Sequence, residues 1–289
     1  VTVAALDDDA RSLTVAARIR GSLDRLTAKE KQVARVILSR YPAAGLETTA
    51  ALSVLAHVSG PTVVRFVTAL GYASYREFQS DLRNELEAKT ASPTTRVESA
   101  TTSRTSRSHG DLLMDALAMT LAELPSAELE AALDLLADRD ARIHVLGGRF
   151  SRLAADYLVT HLEVVRPGVQ LHRSAPDLIP ALPTLRSRDC LVVLDYRRYQ
   201  ADTIAVARLV KQQRGRIVLL TDPWMSPIAE FADVVLPSRV DSVSPLDSHL
   251  STIALVELLV GGVFGRLGDS ADARLTAIDG FERAAELRG

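Results

Sequence analysis

The chain has 289 residues, 47% hydrophobic and 24% charged, with a formal net charge of −2 at pH 7. That is enough apolar material for two ordinary globular cores, and it excludes a fibre or a disordered chain. A single cysteine, Cys190, excludes a disulfide framework or a Cys-based zinc site within one chain, and its apolar setting in Cys190–Leu194 predicts a small hydrophobe in a core. No basic segment leads into an apolar one at the start and no apolar run of membrane-spanning length is evident, so a cytoplasmic protein without a membrane partner is expected.

The near-neutral sum conceals an uneven distribution. Between Arg11 and Lys89 twelve basic side chains outnumber seven acidic ones, a local charge of +5, which is the field that phosphate contacts need. After a solvated Asp7-Asp8-Asp9 start, residues 12–26 read as a helix with Leu13, Ile19, Leu23 and Leu26 inward. Thr27 and Glu30 form a capping box for a second helix carrying Val33, Val36 and Ile37, which ends at Tyr41-Pro42.

Residues 46–75 are the most legible part of the chain. Thr48 caps a helix with Leu52, Leu55 and Ala56 inward, and Ser59 caps the next. There Val63, Phe66, Val67 and Leu70 share one face, Thr62, Arg65, Thr68 and Ala69 point elsewhere, and Gly71 closes the helix. Two short helices joined by about three residues, with a polar and basic outer face on the second, predict a helix-turn-helix able to enter a major groove. Thr48, Ser59, Gly60, Pro61, Thr62 and Arg65 are the candidate DNA contacts.

This stretch resembles the N-terminal domain of the RpiR (MurR/RpiR) family of bacterial transcription regulators. The resemblance rests on Val58-Ser59 at the turn, Thr62-Val63-Val64-Arg65-Phe66 and Leu70-Gly71-Tyr72. At the turn the family's usual Gly is replaced by His57, which is then expected to hold a left-handed conformation. Ser74 and Glu77 form a second capping box, opening a charged helix to about Ala88.

From Thr90 to Ser108 the composition turns to Thr, Ser, Pro93 and the scattered Arg96, Arg104 and Arg107, with no apolar periodicity, which reads as a flexible tether. The expected division is therefore a helix-turn-helix domain over 1–89, a linker over 90–110 and a second domain over 111–289. Helices at 112–124 and 127–137, broken at Pro125, lead into it. Apolar runs at 142–146, 169–172, 190–194, 217–221 and 234–236 then alternate with helical stretches near 151–165, 176–182, 200–213 and 225–232, before a last long helix at about 248–266. That alternation predicts a five-stranded parallel, flavodoxin-like sheet with helices on both faces.

In the strand order 2-1-3-4-5, ligands bind beyond the carboxyl ends of the first and third strands. Those ends are polar, Gly147-Gly148-Arg149-Phe150-Ser151 and Asp195-Tyr196-Arg197-Arg198-Tyr199 running on to Thr203, and each leads into a helix N-terminus that favours an anion. The segment from about Asp111 to Phe264 resembles the SIS (sugar isomerase) domain, which RpiR-type regulators use to sense phosphosugars.

Gly147 and Ser151 fit the family's usual G-x-G-x-S, but Arg149 stands at its second Gly. Asp195-Tyr196-Arg197-Arg198-Tyr199 replaces the usual S-x-S-G-x-T. Arg149, Arg197 and Arg198 offer bidentate recognition of phosphate or carboxylate, and Asp195 can accept from a ligand hydroxyl or hold one arginine. Gly147, Gly148, Arg149, Ser151, Asp195, Tyr196, Arg197, Arg198, Tyr199 and Thr203 are thus the candidate effector site. The arginines also fit a pocket plugged by Asp195, Asp202 or Asp222, or a subunit interface.

An isomerase would need a base, for which His249 and Glu257 are the candidates. The spacing of His144, His161 and His172 gives no metal site. The residues and the two resemblances together imply a regulator that is not an enzyme and has no cofactor. Its expected partners are a pseudo-palindromic double-stranded DNA operator, a small anionic effector and further copies of itself, as a homodimer or homotetramer. A sugar-phosphate isomerase or a ligand-free dimerisation module are the alternatives.

Overall fold

The computed structural model describes residues 14–90 and 109–285, so Leu13, Arg11, the acidic start and the arginines of the predicted tether lie outside the described residues. The chain divides into two compact units, Val1–Ser92 and Pro93–Gly289.

The first unit is helical: α1 (Val15–Ser22), α2 (Ala28–Ser39), α3 (Ala43–Leu46), α4 (Thr49–Leu55), α5 (Gly60–Ala69) and α6 (Tyr75–Thr90). The first capping box forms as read and the second only in part. Thr27 Oγ1 accepts from the Glu30 amide while the Glu30 carboxylate accepts from the Thr27 amide at 2.9 Å. At α6 the Glu77 amide donates to Ser74 Oγ at 3.1 Å, and the Glu77 carboxylate reaches back to the Ala73 amide. One apolar core joins Ile19 and Leu26 to Val33, Ile37, Leu52, Val63, Phe66, Val67, Phe78 and Leu82. Leu55 is an exception to the expectation: it ends α4 on the solvent side, 36% exposed, while Leu52 and Ala56 carry that helix's packing.

The second unit contains α7 (His109–Glu123), α8 (Ser126–Ala137), β1 (Ile143–Gly147), α9 (Arg152–Val165), β2 (Val169–His172), α10 (Ala175–Leu178), β3 (Cys190–Leu194), α11 (Ala201–Gln212), β4 (Arg216–Thr221), β5 (Val234–Pro237), α12 (Leu250–Leu267) and α13 (Asp269–Ala284), with 3-10 turns at Ile179–Thr184 and Pro227–Glu230. All strand pairs are parallel, as the alternation predicts, and the sheet order is β2-β1-β3-β4-β5, the flavodoxin-like order.

Alternate residues face opposite layers. Ile143, Val145, Cys190, Val192, Val218 and Leu220 pack in the layer that includes residues of α8, α9 and α12, whereas Leu146, Leu191, Val193, Ile217 and Leu219 pack with residues of α10 and α11. Burial on both faces explains why these strands are unbroken Val, Ile and Leu runs. Cys190 is fully buried, and burial pushes its thiol up to about 12, leaving a packing residue and not a nucleophile.

Two expectations need correction. The helix at 248–266 is not the last, because α13 follows after Gly268 at φ +49. And α12 itself, 18 residues at mean hydropathy 1.7, is long and apolar enough to span a bilayer. Here it serves as a core helix, with Leu255, Val256, Leu259 and Val263 buried against the sheet's apolar layer.

Candidate functional sites

In the first unit, α4 and α5 meet at a bend of 99°, within the range of a helix-turn-helix. Thr48 caps α4, accepting from the Ala51 amide at 3.1 Å. The turn that follows depends on His57, which holds φ +52 as its replacement of Gly requires. Ser59 stands at the N-cap position of α5 with extended backbone, and Pro61 occupies the first turn, where no amide hydrogen is needed.

The Ser59 hydroxyl does not cap an amide. It pairs with Thr62 Oγ1 at 2.9 Å, and Thr62 Oγ1 in turn accepts from the Arg65 guanidinium at 3.2 Å. Thr62 is 1% exposed, so its predicted outward position is corrected: it faces the core and props Arg65. Of the other predicted contacts, Thr48, Ser59, Pro61 and Arg65 are exposed and Gly60 is half-buried. Gly71, at φ +91, lets the chain leave α5 while the Tyr72 amide returns to the Val67 carbonyl.

In the second unit, a cavity of about 120 Å³ opens beyond the carboxyl ends of β1 and β2 and is closed by the N-terminus of α11, which follows β3. It lies beside the β1–β3 point where the sheet order changes direction, one strand away from the predicted position between β1 and β3. Of the candidate effector residues, Gly147, Gly148, Arg149 and Thr203 line it, and so do Asp202, named above only as a possible arginine partner, and Arg152, Arg173, Ser174 and Gln200, which were not among the candidates. The three arginines arrive from the β1–α9 loop, the first residue of α9 and the β2–α10 loop. None of them is ion-paired among the described residues. Gly147 is needed for contact: a Cβ there would lie 2.7 Å from the Arg152 Cα, so a side chain would push α9 off the strand. Ser151 is buried behind the loop, donating to the Leu194 carbonyl at 2.7 Å and accepting from the Gly148 amide at 2.9 Å.

The loop after β3 is arranged differently. Asp195, 2% exposed, accepts from Ser226 Oγ at 2.5 Å, and burial raises its carboxyl to about 6 in spite of that bond. Tyr196 is buried with its hydroxyl bonded to Ser238 at 2.7 Å and Thr252 at 2.9 Å. Arg197 is paired with Asp247, its Nε 2.8 Å from the carboxylate, and lies 4.5 Å over the Trp224 ring. Tyr199 donates to Asp222 at 2.7 Å, and the same carboxylate takes the Arg197 and Trp224 amides.

Burial raises the Asp222 carboxyl above the usual range. None of Asp195, Tyr196, Arg197 and Tyr199 lines the cavity. Arg198 is exposed at φ +64. The predicted partner for an arginine, Asp195, Asp202 or Asp222, is replaced by Asp247, fifty residues along the chain.

The two candidate bases are separately engaged: His249 meets the Tyr196 ring edge-on and lies 3.4 Å from Thr252 Oγ1, while Glu257 accepts from the Tyr157 hydroxyl. His144 and His172 bond to each other at 2.9 Å inside the sheet, and burial drops His144 to about 4.

A helix-turn-helix unit followed in the chain by a five-stranded parallel α/β unit, with a cleft at the carboxyl ends of its strands, defines the class, a two-domain helix-turn-helix protein. Residues 13–89 match the helix-turn-helix domain of the rpiR family and residues 135–261 match the SIS domain. The chain belongs to the RpiR family of transcriptional regulators.

It is similar to the HTH-type transcriptional regulator HexR of Pseudomonas aeruginosa, 27% identical over 267 residues that cover 87% of this chain and 89% of HexR. The sugar isomerase domain of an RpiR transcription factor from Sphaerobacter thermophilus superposes with a TM-score of 0.54 at 28% identity, over 59% of this chain and 96% of that one. The NanR protein of Vibrio vulnificus, solved with ManNAc-6P, shares the fold at a TM-score of 0.52 and 17% identity, over 93% of this chain and 98% of NanR.

Proposed function

We propose that this regulator binds duplex DNA through the outer face of α5 and changes its DNA affinity when a small anion occupies the cleft beyond β1 and β2. The observation that carries the first half is Arg65: exposed, in the first turns of the second helix, and held by the Thr62 hydroxyl that Ser59 holds in turn. A guanidinium fixed in this way loses less side-chain freedom on meeting a base or phosphate. Arg65→Ala is expected to weaken binding to a selected duplex by roughly 1–3 kcal/mol. Unchanged affinity in a gel-shift titration at fixed salt would remove Arg65 from the interface.

Three guanidiniums opposed by the single carboxylate of Asp202 support an anion of about two negative charges, met by side chains and by the N-termini of α9 and α11. A phosphosugar or a sugar acid fits that charge, and NanR, of the same fold, was solved with a phosphosugar. Binding in this cleft regulates only if the anion prefers one of two arrangements that differ in DNA affinity. A single helix-turn-helix reads a short half-site, so the working form is a symmetric homodimer, or a dimer of dimers, on a pseudo-palindrome, in the cytoplasm where the operator lies.

A further inference from the structure

The outward stripe of α5 is only partly charged. Pro61, Val64, Arg65 and Thr68 follow one another at the i, i+3, i+4, i+7 spacing of one helix face, and all four are exposed, whereas Thr62, Val63, Phe66 and Val67 are buried. Val64 is 47% exposed, an apolar side chain at the centre of a surface whose neighbour is the guanidinium of Arg65. Thr68 adds a second apolar group: its hydroxyl donates back to the Val64 carbonyl at 3.1 Å, so its donor is engaged and its methyl remains to meet a ligand.

We infer that Val64, assisted by the Thr68 methyl one turn on, contacts thymine 5-methyl groups in the major groove, next to the base edge or phosphate that Arg65 meets. This rests on the DNA-binding reading above. The chemistry follows from the groove: the thymine methyl is the apolar feature that a base pair presents there, and small aliphatic side chains are its partners. A branched side chain left in water on a recognition face gains by covering such a methyl, whereas against phosphates it would gain nothing. The stripe therefore favours half-sites in which a thymine adjoins the position read by Arg65.

The test uses the full chain and a duplex selected from a random library, with each thymine of the selected half-site replaced in turn by deoxyuridine, which removes only the methyl. At one position the wild type is expected to lose about three- to fivefold in affinity, the value of about one buried methyl. Val64→Ala should bind the thymine duplex about as weakly as the wild type binds the uridine one and should no longer respond to the replacement. Thr68→Ser, which keeps the hydroxyl bond, should lose part of the response.

A wild type indifferent to uridine at every position, or a Val64→Ala variant with undiminished sensitivity, overturns the inference while the DNA-binding reading stands. Failure to enrich any duplex overturns both. Val64 is solvent-facing, so circular dichroism of Val64→Ala should match the wild type.

Discussion

The loops after β1 and β3 begin at neighbouring positions of one sheet, Gly147 pairing with Leu194 in register, yet they use their side chains in opposite ways. The first turns Arg149 and Arg152 toward a cavity that Arg173 joins from β2, and keeps only Ser151 for holding the loop in place. The second sends Asp195, Tyr196, Arg197 and Tyr199 into hydrogen bonds with Ser226, Ser238, Asp247 and Asp222. Residue types that look like ligand contacts in sequence thus divide into a sensing loop and a bracing loop. An arginine is available for an anion only where no carboxylate of the same chain has already claimed it.

The most damaging way to test the division is to break the brace. Asp222→Ala leaves the Tyr199 hydroxyl and the Arg197 and Trp224 amides without their shared acceptor. A cost of about 2–4 kcal/mol in urea unfolding is expected from three part-buried donors that lose one shared carboxylate acceptor. A loss below about 1 kcal/mol would mean that the loop does not depend on this carboxylate.

Acidity sharpens the same point. The Asp195 carboxyl lies at about 6 in the fold against 3.8 in a free chain, so between those values the native state holds a proton that the unfolded state has released. The contribution of this one carboxyl to stability must then fall as pH rises from about 4 to about 7 and level off above, because at this group the unfolded chain binds fewer protons across that window. The difference in unfolding free energy between wild type and Asp195→Asn should drift by about 2–3 kcal/mol across that range, in favour of the variant at high pH. A difference that stays flat would show that burial does not govern this group.

How far the division was legible in sequence depends on the range of the interaction. Local features were readable: the Thr27–Glu30 capping box, the His57 turn at positive φ and five strands placed within a residue or so. Each depends on neighbours a few positions apart. The Arg197–Asp247 pair joins residues fifty positions apart, and no spacing rule connects them.

Thr62 was misread because helical periodicity places it at the edge of the buried face, and only its bonds to Ser59 and Arg65 decide which way it turns. Arg173 and Ser174 had a usable signal. They follow β2 directly, and in a 2-1-3 order the end of β2 lies beside that of β1.

Cleft arginines give the next prediction. Arg173→Ala and Arg152→Ala should each weaken the anion by about 1–2 kcal/mol, seen as a reduced thermal shift with inorganic phosphate, a hexose phosphate or a sugar acid. Arg197→Ala should keep the full shift while lowering the starting melting temperature, since its ion pair with Asp247 supports the fold. If Arg197→Ala removes the shift and Arg173→Ala does not, the roles of the two loops are reversed.

The smallest effect separates conformation from chemistry at one residue. Arg198 is exposed and holds φ +64, a left-handed backbone that costs a side-chain-bearing residue roughly 1 kcal/mol and glycine almost nothing. Glycine also adds freedom to the unfolded chain, which offsets part of that gain. Arg198→Gly is therefore expected to change stability by no more than about 0.5–1 kcal/mol, toward the variant. The same substitution deletes a guanidinium that the sequence had offered for the anion. If the β3 loop is a brace, the phosphate-dependent thermal shift of Arg198→Gly equals that of the wild type. A diminished shift at unchanged stability would place Arg198 beside the ligand and extend the sensing surface across both loops.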